Sequence, residues 1–291
     1  MSEVVTLTSS GWDVPFSAAE QELAVRALEG GSVLEFPRLG FPLLDGEDRL
    51  LSPSIAGNGK NVSLGPAGEG PRGSTADDEQ LSLLRSMMVR FALSTRTLLQ
   101  NLAPHYTAGL ERARTSFRPV EIAGRSNSWR KDDTRLHVDS FPSSPTRGRR
   151  ILRVFTNLNP HGQSRTWRLG EPFERVASRF LDSIPGPAWG ASALLKVLGV
   201  TKGRRSAYDH FMLQLHDRMK ADSAYQTEAA QCIHQFHAGS TWIVYTDQVS
   251  HAAMSGQYAL EQTFYLPVDC MLTPASAPLR VLEHLLRRAL T

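Results

Sequence analysis

TRLHVDSFPSSPTRGRRILRVFTN, residues 134–157, is the stretch whose reading decides how this chain folds. It opens with His137 and Asp139 separated by Val138, so in an extended segment both side chains leave the backbone on the same side. The run FPSSPTRG that follows is rich in Pro, Ser and Gly and reads as a turn. Ile151 to Phe155 then forms a strand of branched and aromatic residues interrupted only by Arg153. Two polar side chains on one strand end, a turn, and a buried strand are the parts of a β-barrel or sandwich with a site at its mouth.

Working outward, the same texture returns twice. STWIVYTDQ (240–248) and QYALEQTFYLPVD (257–269) are short runs rich in β-branched and aromatic residues, with turn formers between them. Between the first and second β-rich regions lie helical patterns over about 172–183, 187–199 and 206–221. The last carries an apolar stripe of Phe211, Met212, Leu215 and Met219 that reads as core packing. Upstream, residues 17–29 read as a helix capped by Ser17 and stopped by Gly30-Gly31, and residues 78–103 as a long helix with Leu81, Leu84, Met88, Phe91 and Leu98 in phase. The Gly- and Ser-rich stretch 56–76 reads as a loop that either covers the site or lies on the surface. The tail, 278–290, is a basic amphipathic helix for which packing on the domain is favoured over contact with an anionic membrane.

The fold class expected is therefore α+β: a double-stranded β-helix (jelly-roll) core with packed helices and a helical N-terminal region. The division expected is an N-terminal helical and loop region over 1–116, a catalytic core over 117–272 with a helical insertion at about 172–222, and a C-terminal helix over 273–291.

A 2-His-1-carboxylate facial triad fits that core. Three protein ligands occupy one face of an octahedron, and the other three positions stay open for a bidentate co-substrate and dioxygen. His-x-Asp alone is weak: nine His and 29 acidic residues in 291 positions give close to one chance match, and His137-Val138-Asp139 is the one match present. Its place at a strand end before a turn strengthens it. The third ligand should lie on a late strand before a turn, and His251, followed by Ser255-Gly256 and another strand, meets that condition. His234 and His237 are rivals without such a turn.

This donor set points to iron(II), with 2-oxoglutarate as co-substrate. In many enzymes with this triad an Arg ten or eleven positions after the last His holds the distal carboxylate. Here Glu261 and Gln262 stand there. Arg153 is the substitute expected, because an Arg inside an apolar strand needs an anionic partner. Thr134 and Gln262 complete the expected co-substrate contacts. Around these residues the charge is uneven. Residues 125–168 hold ten Lys or Arg against three Asp, whereas the whole chain carries only +3. Such a surplus suits an anionic ligand. Arg165, Trp167 and Arg168 combine cationic forks with an aromatic face and are candidate substrate contacts, as are Asn127, Trp129 and Arg130.

The blocks SNSWRKDDTRLHVDSFPSSPTRGRRILRVFTNLNP, RTWRLGEPFE, YDHFMLQLHDRMKADSAYQ and TDQVSHAAMSGQYALEQTFYLP together resemble the bacterial Kdo hydroxylases, over roughly residues 30 to 270. Kdo is 3-deoxy-D-manno-oct-2-ulosonic acid, the inner-core sugar of lipopolysaccharide. The resemblance implies 3-hydroxylation of a Kdo unit carried on lipid A, giving Ko. It implies consumption of 2-oxoglutarate and dioxygen, ascorbate as the reductant of the iron, and His137, Asp139 and His251 at the family's metal positions. The partner implied is Kdo-lipid A or a related lipopolysaccharide precursor.

Composition narrows the alternatives. At 41% hydrophobic and 21% charged the chain buries a core and is not disordered. No secretory signal and no apolar run long enough for a membrane span are visible, and Cys232 and Cys270 have no zinc spacing, so a cytoplasmic protein is expected; the resemblance, through its lipid-borne substrate, implies peripheral contact with the inner membrane. The pI near 9.0 alone does not make a nucleic-acid binder, since no motif of that class is present. The readings left in competition are a 2-oxoglutarate-dependent hydroxylase of another anionic small molecule and a non-catalytic jelly-roll sugar-binding protein.

Overall fold

The computed structural model describes all residues except 58, 68, 126, 188–191 and 193–195. The helix expected over 187–199 falls largely on these and lies outside the described residues. Elsewhere the helices begin where capping chemistry starts them. Ser17 caps α1 (Ala18–Glu29) through a reciprocal box with Glu20, Asp77 caps α2 (Asp78–Leu102), and Ser206 with Asp209 forms a second box on α4 (Ala207–Ala221). Between them lies α3 (Phe173–Phe180), and α5 (Ser223–Glu228) and α6 (Pro278–Leu286) follow. In α2, Leu84, Met88, Phe91 and Leu98 are buried as their spacing predicts, while Leu81 is only half-buried.

Among the described residues, ten strands form two sheets. The larger contains β1 (Val4–Thr6), β2 (Val33–Phe36), β3 (Val62–Leu64), β4 (Glu111–Arg118), β5 (Arg150–Asn157), β8 (Thr241–Tyr245) and β10 (Ala259–Leu266), in the order β1-β2-β8-β5-β10-β4-β3. The smaller has the order β7-β6-β9, from Cys232–Phe236, Arg165–Leu169 and His251–Ser255. An isolated bridge between His137 and His251 adds the His-x-Asp segment beside β9, where a full strand would lie. Two facing sheets with these interleaved crossings are the double-stranded β-helix that the sequence predicts.

The expected division at residue 116 does not follow the sheets. The cut falls inside β4, and β1, β2 and β3 join the large sheet, so the N-terminal region contributes strands as well as helices. All eight residues of β5 are buried. Its outer face, Leu152 and Val154, packs under the helices with Leu28, Leu98 and Leu102. Its inner face turns Phe155 toward Trp167, Phe236 and Trp242 between the sheets. Phe155 stacks on Trp242, with ring centroids 5.1 Å apart, and Trp242 stacks on Phe236 at 4.1 Å. Truncating any one of these buried rings to Ala costs about 3–5 kcal/mol. This aromatic layer closes one end of the barrel and leaves polar side chains for the other. The tail helix α6 buries Leu279 and Leu282, so packing on the domain is what it does.

Candidate active site

The bridge between the His-x-Asp segment and β9 builds the site. His137 N–H donates to the His251 carbonyl at 3.0 Å and His251 N–H to the His137 carbonyl at 2.9 Å. Residues paired this way in an antiparallel ladder put their side chains on the same face. The two imidazoles accordingly lie with centroids 4.7 Å apart. Asp139 comes to the same side two residues on, anchored by its N–H on the Thr246 carbonyl at 2.8 Å. Ligand atoms of His137, Asp139 and His251 all fall within 4.8 Å of one another, and all three residues are nearly or fully buried.

Each imidazole is oriented by its own backbone. His137 Nδ1 lies 2.7 Å from the Arg135 carbonyl, and His251 Nδ1 2.8 Å from the Val249 carbonyl. With Nδ1 donating, the deprotonated Nε2 of each ring faces the shared point, which is the tautomer a metal requires. Burial pushes both imidazoles below the ordinary histidine range, so they stand neutral. Burial works against the Asp139 carboxylate, but the Arg153 guanidinium outweighs it and holds this group well below the usual range. Two neutral imidazoles and an ionised carboxylate on one face fit a divalent iron. Among the described residues, no other cluster of three such ligands is found. His234 pairs with Glu35 at 2.9 Å and His237 with Ser164 at 2.9 Å, away from the triad.

The triad lies in the wall of a cavity of about 160 Å³. Arg153 points into it, as its apolar flanks predict. Its Nη1 is 3.2 Å from the outer oxygen of Asp139 and 3.4 Å from Glu261. These contacts are ionic; the guanidinium is not aligned for a directed bond to Asp139. Glu261 is held on its other side by Arg118, with Nε at 2.8 Å. Burial would raise the Glu261 carboxyl, but Arg118 and then Arg153 keep it low. Arg165 is different. It is 2% exposed, and its one hydrogen bond in the structure is from Nη1 to the Gly256 carbonyl at 3.3 Å, with Nε left without an acceptor. Burial and then the neighbouring Arg118 depress its guanidinium to about 9. The cavity therefore contains a buried cation without a carboxylate bonded to it. Gly256 permits this placement: at φ +124° it lies against Arg165, and a Cβ there would stand 2.7 Å from Arg165 Cγ.

Three of the residues expected to contact co-substrate or substrate lie turned away from the cavity. The Thr134 hydroxyl donates to Asp132 at 2.7 Å, capping its own turn, and Thr134 does not line the cavity. Gln262 faces the opposite side of β10 from Glu261, where its Oε1 accepts from Thr115 at 2.6 Å. Arg168 likewise points away from Arg165 and Trp167, bracing Thr134 O at 2.6 Å and Gln231 at 2.9 Å. Trp167 does line the cavity, but it is 2% exposed and stacks on His251 with centroids 5.1 Å apart, so it supports a ligand more than it offers a platform. Trp129 and Arg130 stack on each other at 3.9 Å on the surface, Arg130 reaching Asp217 at 3.3 Å, and exposed Asn127 precedes them; none lines the cavity.

Sequence reasoning passed over Arg118, Asp133, Lys60 and Asn61, all in the cavity wall. Lys60 Nζ bonds Asp133 at 2.6 Å and ties the Gly-rich stretch to the segment before the triad. The lone Lys of that stretch and the doubled Asp132-Asp133 were the available signals.

A family model described as 3-deoxy-D-manno-oct-2-ulosonic acid (Kdo) hydroxylase matches residues 11–289. The chain belongs to the Kdo hydroxylase family. Solved structures of a Kdo hydroxylase, KdoO, described as a non-heme Fe(II) alphaketoglutarate-dependent dioxygenase, agree with this chain throughout. The one in complex with alphaketoglutarate and Fe(III) is 48% identical, covers 99% of this chain and 97% of its own, and superposes with a TM-score of 0.96. The apo structure is 49% identical, with the same coverage and the same TM-score. The complex with succinate and Fe(III) is 48% identical over the same shares, with a TM-score of 0.95. No curated protein sequence matches the chain. The Kdo hydroxylase family thus shares the barrel in which this triad and its arginines lie.

Proposed function

We propose that this Kdo hydroxylase uses iron(II), 2-oxoglutarate and dioxygen to hydroxylate C3 of a Kdo sugar on Kdo-lipid A, giving Ko. The observation that carries the reading is the buried triad of two neutral imidazoles and one carboxylate beside Arg165, a buried guanidinium bonded to no carboxylate. His137 Nε2, His251 Nε2 and Asp139 Oδ1 would hold the iron. Bound there, it supplies activation of dioxygen coupled to decarboxylation of the co-substrate, with ascorbate keeping it reduced.

The chain's own groups do the rest. Arg153 neutralises the outer oxygen of Asp139 and keeps that carboxylate aimed with one oxygen inward. Arg153 is thereby committed to protein carboxylates, so the distal carboxylate of 2-oxoglutarate falls to Arg165, with Arg118 beside it. A bidentate guanidinium contact suits a carboxylate, and pairing relieves the cost of burying Arg165. Phe155 and Trp167 supply apolar wall, which limits water at the reacting carbon.

Contact with a lipid surface is supported by a different place than the tail helix. Val197, Leu198 and Val200 are 82%, 65% and 52% exposed, and Lys196, Lys202, Arg204 and Arg205 flank them. Exposed apolar side chains with cations next to them in the sequence fit an anionic bilayer interface, which supports peripheral contact with a membrane. No helix among the described residues is long and apolar enough to cross a membrane.

The test is incubation with iron(II), 2-oxoglutarate, ascorbate and Kdo-lipid A under air. A product heavier by one oxygen atom, hydroxylated at C3 and formed with equimolar succinate, is expected. Hydroxylation of a different anionic small molecule but not of Kdo would refute the substrate; binding of Kdo without turnover would favour a sugar-binding protein.

A further inference from the structure

A second concavity, of about 780 Å³, lies beside the catalytic cavity. Six cations line it: Arg72, Arg112, Arg114, Arg147, Arg149 and Lys202, against two acids, Glu69 and Glu111. Arg149 is the one cation of the six that pairs with either acid, binding Glu111 and lying 4.7 Å over the Tyr265 ring. Arg112 borders the groove through its backbone, but it pairs with Phe264 on the outer face of the sheet, so its guanidinium turns toward α2 and Arg96 and takes no part in the groove. Arg147 adopts a left-handed backbone, φ 54°, which a residue with a Cβ rarely does without compensation. That compensation is Asp209, buried at the start of α4. Its carboxylate accepts from Thr146 N–H at 2.7 Å and Arg147 N–H at 3.0 Å while also capping the helix through Ser206. The rim of the groove is thus a constructed turn.

The groove and the catalytic cavity share walls. Tyr265 follows Thr263 on the inner face of β10, and Thr263 pairs with Arg153 of the catalytic cavity. A two-residue step along a strand is about 7 Å. Lys60 and Asn61 line the cavity, and Ser63, just beyond them, lines the groove together with Arg72, which bridges to it. We propose that the groove binds a phosphate carried by the substrate outside the reacting sugar, so that a phosphorylated glycolipid is recognised at two points. Arg72, Arg114 and Arg147 line this concavity and pair with no acid, and guanidinium forks of this kind bind phosphate by charge-assisted bonds. This rests on the Kdo-glycolipid reading above.

Arg114 and Lys202 are exposed and outside the catalytic machinery, so Arg114→Gln with Lys202→Gln should leave folding and kcat unchanged. The probes are detergent-dispersed Kdo-lipid A and the same glycolipid stripped of phosphate by phosphatase. The wild type should show a KM at least about tenfold lower for the phosphorylated form, and the double variant should lose most of that preference. Binding to the metal-free protein should show the same pattern. Equal KM values for the two glycolipids in the wild type, or an equal loss on both in the variant, would overturn the groove proposal while leaving the hydroxylase reading intact. Turnover and binding of neither would overturn that reading, and the groove's role with it.

Discussion

At the scale of single residues, the site separates cations by what already neutralises them. Arg153 sits between Asp139 and Glu261, and Arg118 bonds Glu261, whereas Arg165 bonds only a backbone carbonyl. Arg165→Lys should therefore raise the KM for 2-oxoglutarate by about tenfold or more, because a point charge replaces a bidentate fork. Arg153→Met should act chiefly through Asp139, weakening metal affinity. Titration with cobalt(II) and 2-oxoglutarate separates the two; an unchanged 2-oxoglutarate KM in Arg165→Lys would return the anchor to Arg153. The triad was legible in the sequence because period-two spacing and a terminal turn are local features. The anchor was not. Arg153 and Arg165 both stand in strands, and only the fold shows which one meets carboxylates. Thr134 and Gln262 turn from the cavity to Asp132 and Thr115, partners that no spacing rule reveals.

At the scale of elements, the basic surplus of residues 125–168 dissolves into separate tasks. Arg165 serves the cavity, Arg147 and Arg149 the groove, Arg168 a brace, and Arg150 a fully buried pair with Asp247 at 2.8 Å that joins the start of β5 to the end of β8. Arg150 also donates to Gln248 at 2.6 Å and lies 3.8 Å over the Tyr245 ring. Breaking such a pair strands a charge in the core, so Asp247→Leu should destabilise the fold by about 3–5 kcal/mol in urea unfolding. A loss below about 1 kcal/mol would mean that Gln248 and Tyr245 suffice for Arg150. Helices with explicit caps and strands rich in branched residues were readable as elements. The joining of β1, β2 and β3 to the large sheet was not, since three- and four-residue strands carry too little periodicity to announce a partner.

At the scale of the whole molecule, the proposed groove and the exposed apolar side chains at 197–200 would extend the catalytic cavity toward an anionic glycolipid. Lys202 belongs both to the groove and to the flank of that apolar stretch. Flotation with vesicles containing anionic phospholipid should recover the wild type and lose Leu198→Asp. Equal recovery of both would assign membrane contact elsewhere or remove it. These surfaces matter only if the triad works as described, and one measurement reaches that most directly. The anaerobic protein is mixed with iron(II) and 2-oxoglutarate and its visible spectrum recorded. The geometry predicts a weak metal-to-ligand charge-transfer band from the chelated co-substrate, absent in His137→Ala and in His251→Ala. No band in the wild type, with neither iron nor 2-oxoglutarate retained by the protein, would contradict the account at its centre.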